Sequence, residues 1–377
     1  MRVLILFVDM VRANLLHVNN TTRVQTPLDG FLKELGGTNY TNCFSSAPDT
    51  GRALGVFLSG LSASENGCDN RVRYPRFFLK SNDNLFDAFK KQGYKCDFYL
   101  HQHHILPESV MQQNIVLEER LEDFCKNIEL QEKHLLFCDI PTYHTVFDNE
   151  GFSLASEKKA NKTLTQHLEI VFQHFDKDDF DDIYIFSDHG FKFSYEMLLH
   201  KITNKPYLLL NEDRTNILMF HRKKGENKLG QITTLCGLED IHQYIKMNNL
   251  HANYTPVENR PYIIVEDHLH FKQRYSNIQI WALVQENEIY IRTFDEAWLL
   301  ERKTSQLLNK KVNNNYDICI AKESLSFAEV LEILEAKITS NSHNICVDTA
   351  QKCVPKSTWY KIANILKDSI MSLPYGR

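Results

Sequence analysis

The octapeptide Ile183-Tyr184-Ile185-Phe186-Ser187-Asp188-His189-Gly190 joins a β-branched and aromatic run to an acid, a histidine and a glycine. An apolar run of this kind reads as a strand buried on both faces, and the Asp and His at its end offer an oxygen and a nitrogen to one place. Two other stretches share the pattern. Arg2–Asp9 is apolar up to its closing acid, and His134–Ile140 carries Asp139 near its end. Helical periodicity covers Leu28–Leu35, Ala53–Leu61, Leu85–Lys91 and Ser156–Phe175, with further strands at Cys96–Leu100 and Asp182–Ser187. Strands alternating with helices predict an α/β fold with a mostly parallel central sheet flanked by helices. Ligands of such sheets lie beyond the carboxyl ends of the strands, so Asp9, Asp139 and Asp188 are expected to converge on one edge.

Composition bounds the class. The 377 residues are 43% hydrophobic and 24% charged, ordinary globular usage that excludes disorder, collagen and coiled coil. With 43 Lys+Arg against 48 Asp+Glu the net charge is −5, too acidic for a chain held on nucleic acid by a general basic surface. The first apolar run, Val3 to Val8, is far shorter than the about 20 residues of a bilayer span and has no signal-type cleavage site. A soluble chain that starts directly on a strand is expected. Nine cysteines without CxxC spacing suit reduced, mostly buried thiols in a cytoplasm.

After Asn211 the texture changes. Strands at Asn216–His221, Tyr262–Glu266, Ile278–Val284 and Glu288–Thr293 are expected to form a smaller, partly antiparallel sheet. Helices are expected at Asp295–Leu308, Phe327–Ile338 and Trp359–Leu373, and Lys310–Tyr316 reads as a linker. The expected division is a domain over 1–295, with its core at 1–215 and the small sheet at 216–295, and a helical extension over 296–377.

Four segments carry candidate chemistry. Asp9, opening the loop Met10-Val11-Arg12-Ala13-Asn14, reads as a metal ligand at a strand end or as a cap of the next turn. Ser45-Ser46-Ala47-Pro48-Asp49-Thr50-Gly51-Arg52-Ala53 leads into an apolar helix. A hydroxyl at that start can be ionised beside a metal, and Asp49 or Thr50 can equally be the helix cap. His144, past the strand ending at Ile140, either touches a ligand or is an exposed loop histidine. Asp188 with His189 is the most specific of the four. Glu266-Asp267-His268-Leu269-His270 looks like a metal cluster but is explained by strand alternation, His101, His103 and His104 follow a strand, and Arg222-Lys223-Lys224 reads as a solvated turn.

In that order, Asp9, Thr50, His144 and Ser187-Asp188-His189-Gly190 resemble the alkaline phosphatase/sulfatase superfamily, over residues 2 to 295. Thr26-Pro27-Leu28-Asp29, Gly37-Thr38-Asn39-Tyr40-Thr41-Asn42, Lys205-Pro206-Tyr207 and Arg214-Thr215-Asn216-Ile217-Leu218 are similar to further stretches of it. The resemblance implies an alkaline phosphatase-like fold. It also implies one divalent metal ion (Zn, Mn, Mg or Ca, with Zn or Mn favoured) on Asp9, Thr50, Asp188 and His189, and Asp139 with His144 as partners for a second.

A sulfatase of this superfamily carries Cys or Ser in a C/S-x-P-x-R motif. Here Thr50 is followed by Gly51-Arg52-Ala53-Leu54. The chain therefore resembles the phosphoryl-handling branch, the phosphodiesterases and the phosphoethanolamine and phosphoglycerol transferases. Asp9-Met10-Val11-Arg12-Ala13-Asn14 is similar to the opening of those transferases, with Asp9 where they carry Glu. By that resemblance Thr50 is the nucleophile and His144 and His200 orient the substrate or protonate the leaving oxygen. Arg52, Lys205 and Asn14 bind substrate. The implied activity is metal-dependent phosphoryl hydrolysis or transfer on a small-molecule or glycan phosphoester, as in polysaccharide biosynthesis, with no nucleic-acid partner and no transmembrane anchor. Two alternatives stand beside it: a phosphomonoesterase of the same fold, and a non-catalytic binding protein on a degenerate sulfatase fold.

Overall fold

The computed structural model describes residues 1–66, 84–100, 120–203, 210–251, 257, 260–269, 278–292, 296–302 and 307–312. They fall into two compact units, residues 1–193 with 212–260, and residues 194–211 with 261–377. The first unit begins β1 (Arg2–Phe7), α1 (Pro27–Leu35), β2 (Gly37–Tyr40), β3 (Cys43–Phe44), α2 (Thr50–Ser59) and α3 (Leu85–Lys91). It continues β4 (Lys95–Tyr99), α4 (Leu121–Asn127), β5 (His134–Asp139), α5 (Thr142–Glu150), α6 (Leu154–His174) and β6 (Asp182–Phe186). Helix α7 (Ser194–Thr203) belongs to the second unit. The chain then adds β7 (Met219–Lys223), β8 (Leu229–Ile232), β9 (Cys236–Gly237) and α8 (Leu238–Leu250) to the first.

Seven strands form the central sheet in the order β4-β5-β1-β6-β7-β2-β8. Strands β4, β5, β1 and β6 are mutually parallel, as expected for an α/β fold. Strand β7 runs antiparallel between β6 and β2, so the stretch expected at Asn216–His221 belongs to the central sheet rather than to the smaller one. The reason the apolar runs are continuous is visible in β1. Val3, Ile5 and Phe7 pack with α2, α3 and α8, while Leu4, Leu6 and Val8 pack with α1, α4, α5 and α6. All six are fully buried. The strand is thus apolar on both faces, and its register is set by its partners, Phe7 pairing with Asp139 of β5 and with Phe186 of β6.

Local signals start and stop the helices. Thr26 and Asp29 form a reciprocal capping box at α1, with Pro27 at its first turn. Asp49 caps α2, and Gly60 ends it in the left-handed conformation.

The second unit carries an antiparallel sheet of β10 (Ile263–Leu269), β11 (Ile278–Val284), β12 (Glu288–Arg292), β13 (Glu296–Glu301) and β14 (Leu307–Val312), paired in that order. Here the structure corrects the helix expected over Asp295–Leu308. Ala297, Leu299 and Leu300 suit a helix locally, but Leu300 pairs with Ile289 and Leu299 with Tyr290, and burial on a sheet wins. The same pairing runs across the expected boundary at residue 295, and β14 takes the start of the expected linker Lys310–Tyr316. The helices expected at Phe327–Ile338 and Trp359–Leu373 lie outside the described residues. Among the described residues no helix is long and apolar enough to cross a membrane.

Candidate active site

The site is a consequence of register. Phe7 of β1 pairs with Phe186 of β6, and Val8 donates its N–H to the Phe186 carbonyl. Two residues further along each chain come Asp9 and Asp188, on the side of the sheet covered by α2. Both are fully buried. With His189 they form, among the described residues, the group able to hold a metal, their ligand atoms lying within 4.8 Å of one another. Asp139 does not join them. It pairs with Phe7 itself, two residues behind Asp9, and at about 3.3 Å per residue that sets it roughly 7 Å back along the strands.

Helix α2 brings the hydroxyl. Asp49 is the cap, its carboxylate accepting from the Arg52 amide at 3.3 Å, so Thr50 is not needed for that task. Thr50 Oγ1 instead donates to Asp9 Oδ1 at 3.4 Å and lies 3.5 Å from His189 Nε2. These contacts are longer than the usual O–H···O bond of about 2.7–2.8 Å, so the hydroxyl is aimed at the group without being locked to either partner.

The electrostatics fit a cation. Burial, and then the charge of Asp9, push the Asp188 carboxyl up to about 6, against the opposing effect of His189. Asp188 Oδ1 accepts two backbone amides, from Met10 at 3.0 Å and His189 at 2.8 Å. Asp188 Oδ2 has no partner at hydrogen-bond geometry among the described residues and sits 3.4 Å from His189 Nε2. His189 Nδ1 is 2.7 Å from the Gly190 carbonyl, which can only accept, so Nδ1 carries a proton and the neutral imidazole has its lone pair on Nε2. Two buried carboxylates, an imidazole with its lone pair inward and a hydroxyl are a donor set for a divalent ion.

Beside the group lies a second charged cluster that the sequence reading missed. Asp213 accepts from Arg12 Nη2 at 2.5 Å, from Asn14 Nδ2 at 2.9 Å and from Lys192 Nζ at 2.5 Å. Burial opposes its ionisation, but Lys192 and Arg12 hold its carboxyl well below the usual range. The Arg12 guanidinium also stands over the rings of Phe191 and Phe193. Gly190 links the clusters, since its amide donates to the Arg214 carbonyl and a Cβ there would meet the Asp213 carbonyl at 2.1 Å. The sequence offers Arg12 and Asn14 in the loop after Asp9 and a lysine three residues past His189, but nothing in it ties them to Asp213.

Several expected residues are placed elsewhere. Arg52 is fully buried and ion-paired with Asp49, so it clamps the cap and is not open to substrate. Asn14 is turned inward, donating to Asp213 and accepting from Arg12. His144 is on helix α5 rather than in a loop, half exposed, with Nδ1 2.8 Å from Asp148. His200 falls on α7 of the second unit, its side chain outside the described residues, as is Lys205. Glu266 and Asp267 are buried on β10, while His268 and His270 offer no described side chain. His101, His103 and His104 also lie outside the described residues. Arg222 is not on a solvated turn: it is fully buried, bonded to Asp178 and to three backbone carbonyls.

Residues 2–180 match the Sulfatase family, a span that includes Asp9 and Thr50 and ends before Asp188. No curated protein sequence matches. Among solved structures, a 2-O GAG sulfatase has a similar fold, with a TM-score of 0.65 and 13% identity, covering 93% of this chain and 95% of that one. The phosphonate monoester hydrolase of Agrobacterium radiobacter is similar at a TM-score of 0.60 and 11% identity, covering 91% of this chain and 96% of that one. That from Silicibacter pomeroyi has a TM-score of 0.57 at 11% identity with the same coverage. The fold is sulfatase-like.

Proposed function

We propose, on the premise of a sulfatase-like fold with a sulfatase-family match over residues 2–180, that this chain is a metal-dependent phosphoryl hydrolase or transferase with Thr50 as its nucleophile. One observation carries the reading: the Thr50 hydroxyl stands at the edge of Asp9, Asp188 and His189 while Asp49, not Thr50, caps the helix. Asp9, Asp188 and His189 would hold the divalent ion, Zn or Mn suiting the mixed nitrogen and oxygen donors. When bound, such an ion polarises a non-bridging phosphoryl oxygen and lowers the pKa of a neighbouring hydroxyl.

The chain's own residues do the rest. Asp9 Oδ1 orients the Thr50 hydroxyl and is placed to accept its proton as Oγ1 attacks phosphorus in line. The start of α2 adds the positive end of its dipole to the developing charge. The role of proton donor to the leaving oxygen rests on the family resemblance alone and falls to His144 or His200. Water or a second hydroxyl then takes the group from Thr50. Threonine at the nucleophile position supports phosphoryl over sulfuryl chemistry, because formylglycine forms from Cys or Ser. The substrate class assigned is a phosphoester of a small molecule or glycan precursor. Nine cysteines without CxxC spacing support a reducing compartment, the cytoplasm.

The test is metal analysis of the purified chain with a panel of p-nitrophenyl phosphate mono- and diesters and the sulfate ester. Bound Zn or Mn with a phosphoester preferred is the expected result. An empty protein, or a sulfate ester turned over as fast as the best phosphoester, would overturn the assignment.

A further inference from the structure

We propose that Met10 is a positioning residue for the cation-binding carboxylates and that it acts through its backbone. The inference rests on reading Asp9, Asp188 and His189 as the cation site. Among the described residues Met10 is the one non-glycine residue with a positive φ, at 64°. An L-residue with a Cβ is disfavoured there, and such outliers persist only where their surroundings over-determine them. The surroundings here constrain both sides of the residue. Before it, the Asp9–Met10 peptide aims its N–H at Asp188 Oδ1, 3.0 Å away and 178 positions on in the chain. After it, Val11 is fully buried and Arg12 bridges to Ile217.

A negative φ at residue 10 would give up one of these. Either the amide would leave Asp188, or Val11 and Arg12 would leave the core and the Asp213 cluster. The left-handed turn satisfies both, and the Met10 side chain, 7% exposed, packs among the apolar residues on the α5–α6 side.

The consequence is a choice of oxygen. With the Met10 and His189 amides both on Oδ1, Asp188 is left with Oδ2 facing Nε2 of His189. The turn thus selects which oxygen meets the ion and fixes its direction before the ion arrives, which removes a reorganisation cost from binding.

The test compares Met10→Gly with Met10→Val in the full chain. Both keep the N–H and both remove the methionine side chain, but glycine adopts positive φ freely and a β-branched residue resists it. The probes are Zn2+ and Mn2+ alone, titrated calorimetrically into metal-free protein, with thermal unfolding of the metal-free form alongside. Met10→Val should weaken ion binding about tenfold or more, while Met10→Gly stays within about threefold of the wild type. Equal affinity of Met10→Val and wild type would overturn the proposal, as would a Met10→Gly loss as large as that of Met10→Val. Hydrogen exchange of the wild-type Met10 amide is a check independent of any ion and of any variant's folding. Slow exchange is expected, and exchange as fast as an exposed loop amide would overturn the proposal. A wild-type chain that bound neither ion would instead overturn the cation reading on which it rests.

Discussion

Two carboxylates, the fully buried Asp188 and the largely buried Asp213, lie on either side of Gly190, and they are completed in opposite ways. Asp213 receives Lys192, Arg12 and Asn14, and its carboxyl is held well below the usual range. Asp188 has Asp9 as its near charge, and burial with that neighbour pushes it up to about 6. The first centre is closed by the chain's own cations; at the second, no lysine or arginine among the described residues is ion-paired with Asp188. A buried charge left in that state is costly unless a partner arrives. On the proposed reading the contrast separates scaffold from receptor: the Asp213 cluster ties its loops together, and the Asp188 group is the one a cation would complete.

The largest effect that would sharpen this contrast is on turnover. Thr50→Ala touches only the open centre and should lower kcat/KM by about three orders of magnitude or more, with the metal-free unfolding midpoint little changed. Steady-state kinetics beside thermal unfolding check it. Thr50→Ser should keep part of the activity.

Next come the two carboxylates themselves. Asp213→Asn strands Lys192 and Arg12 inside the protein and should cost about 3–5 kcal/mol in chemical denaturation. Asp188→Asn should leave the metal-free chain as stable or more so, because it removes a repulsion, while ion affinity falls by about a hundredfold. If both substitutions destabilised the metal-free chain equally, the contrast would fail.

The pH dependence should carry opposite signs at the two centres. Between the ordinary value of 3.8 and the folded value of about 6, native Asp188 holds more protons than the unfolded chain does. Its contribution therefore makes the metal-free protein lose stability as pH rises through that window, by a few kcal/mol, and a saturating ion should abolish the loss. The lowered Asp213 contributes stability that is fully present above 3.8 and lost as pH falls through its folded value. Comparing unfolding free energy across pH in wild type and in Asp188→Asn isolates the first window.

The smallest expected effect is at the hinge between the centres. Gly190→Ala puts a Cβ against the Asp213 carbonyl and should cost about 1–3 kcal/mol of stability, read from the denaturation midpoint. An unchanged midpoint would show that the two centres are not held together there.

How much of this was legible in the sequence follows from distance along the chain. Asp9, Asp188 and His189 could be found because each closes an apolar run, and parallel strands align such ends. Asp139 reads the same way, yet pairing with Phe7 leaves it a rung short, and register is not written in a single strand. Arg52 was misread because it is two residues from Thr50 on a helix, which turns it about 200° from the hydroxyl and toward Asp49. Lys192 and Asp213 are 21 positions apart, with helix α7 between them, a pairing no local pattern reveals. Strands β13 and β14 were hidden by helix-forming residues whose sheet partners lie in β12 and in each other.

The central claim is that Thr50 carries the transferred group. Acid quench of the metal-loaded protein during turnover of a phosphoester, followed by peptide mass spectrometry, reads this directly. The account predicts a phosphoryl adduct, with any retained ester substituent, on the peptide containing Thr50, and its absence in Thr50→Ala. An active protein with no such adduct, and with Thr50→Ala turning over at the wild-type rate, would contradict it.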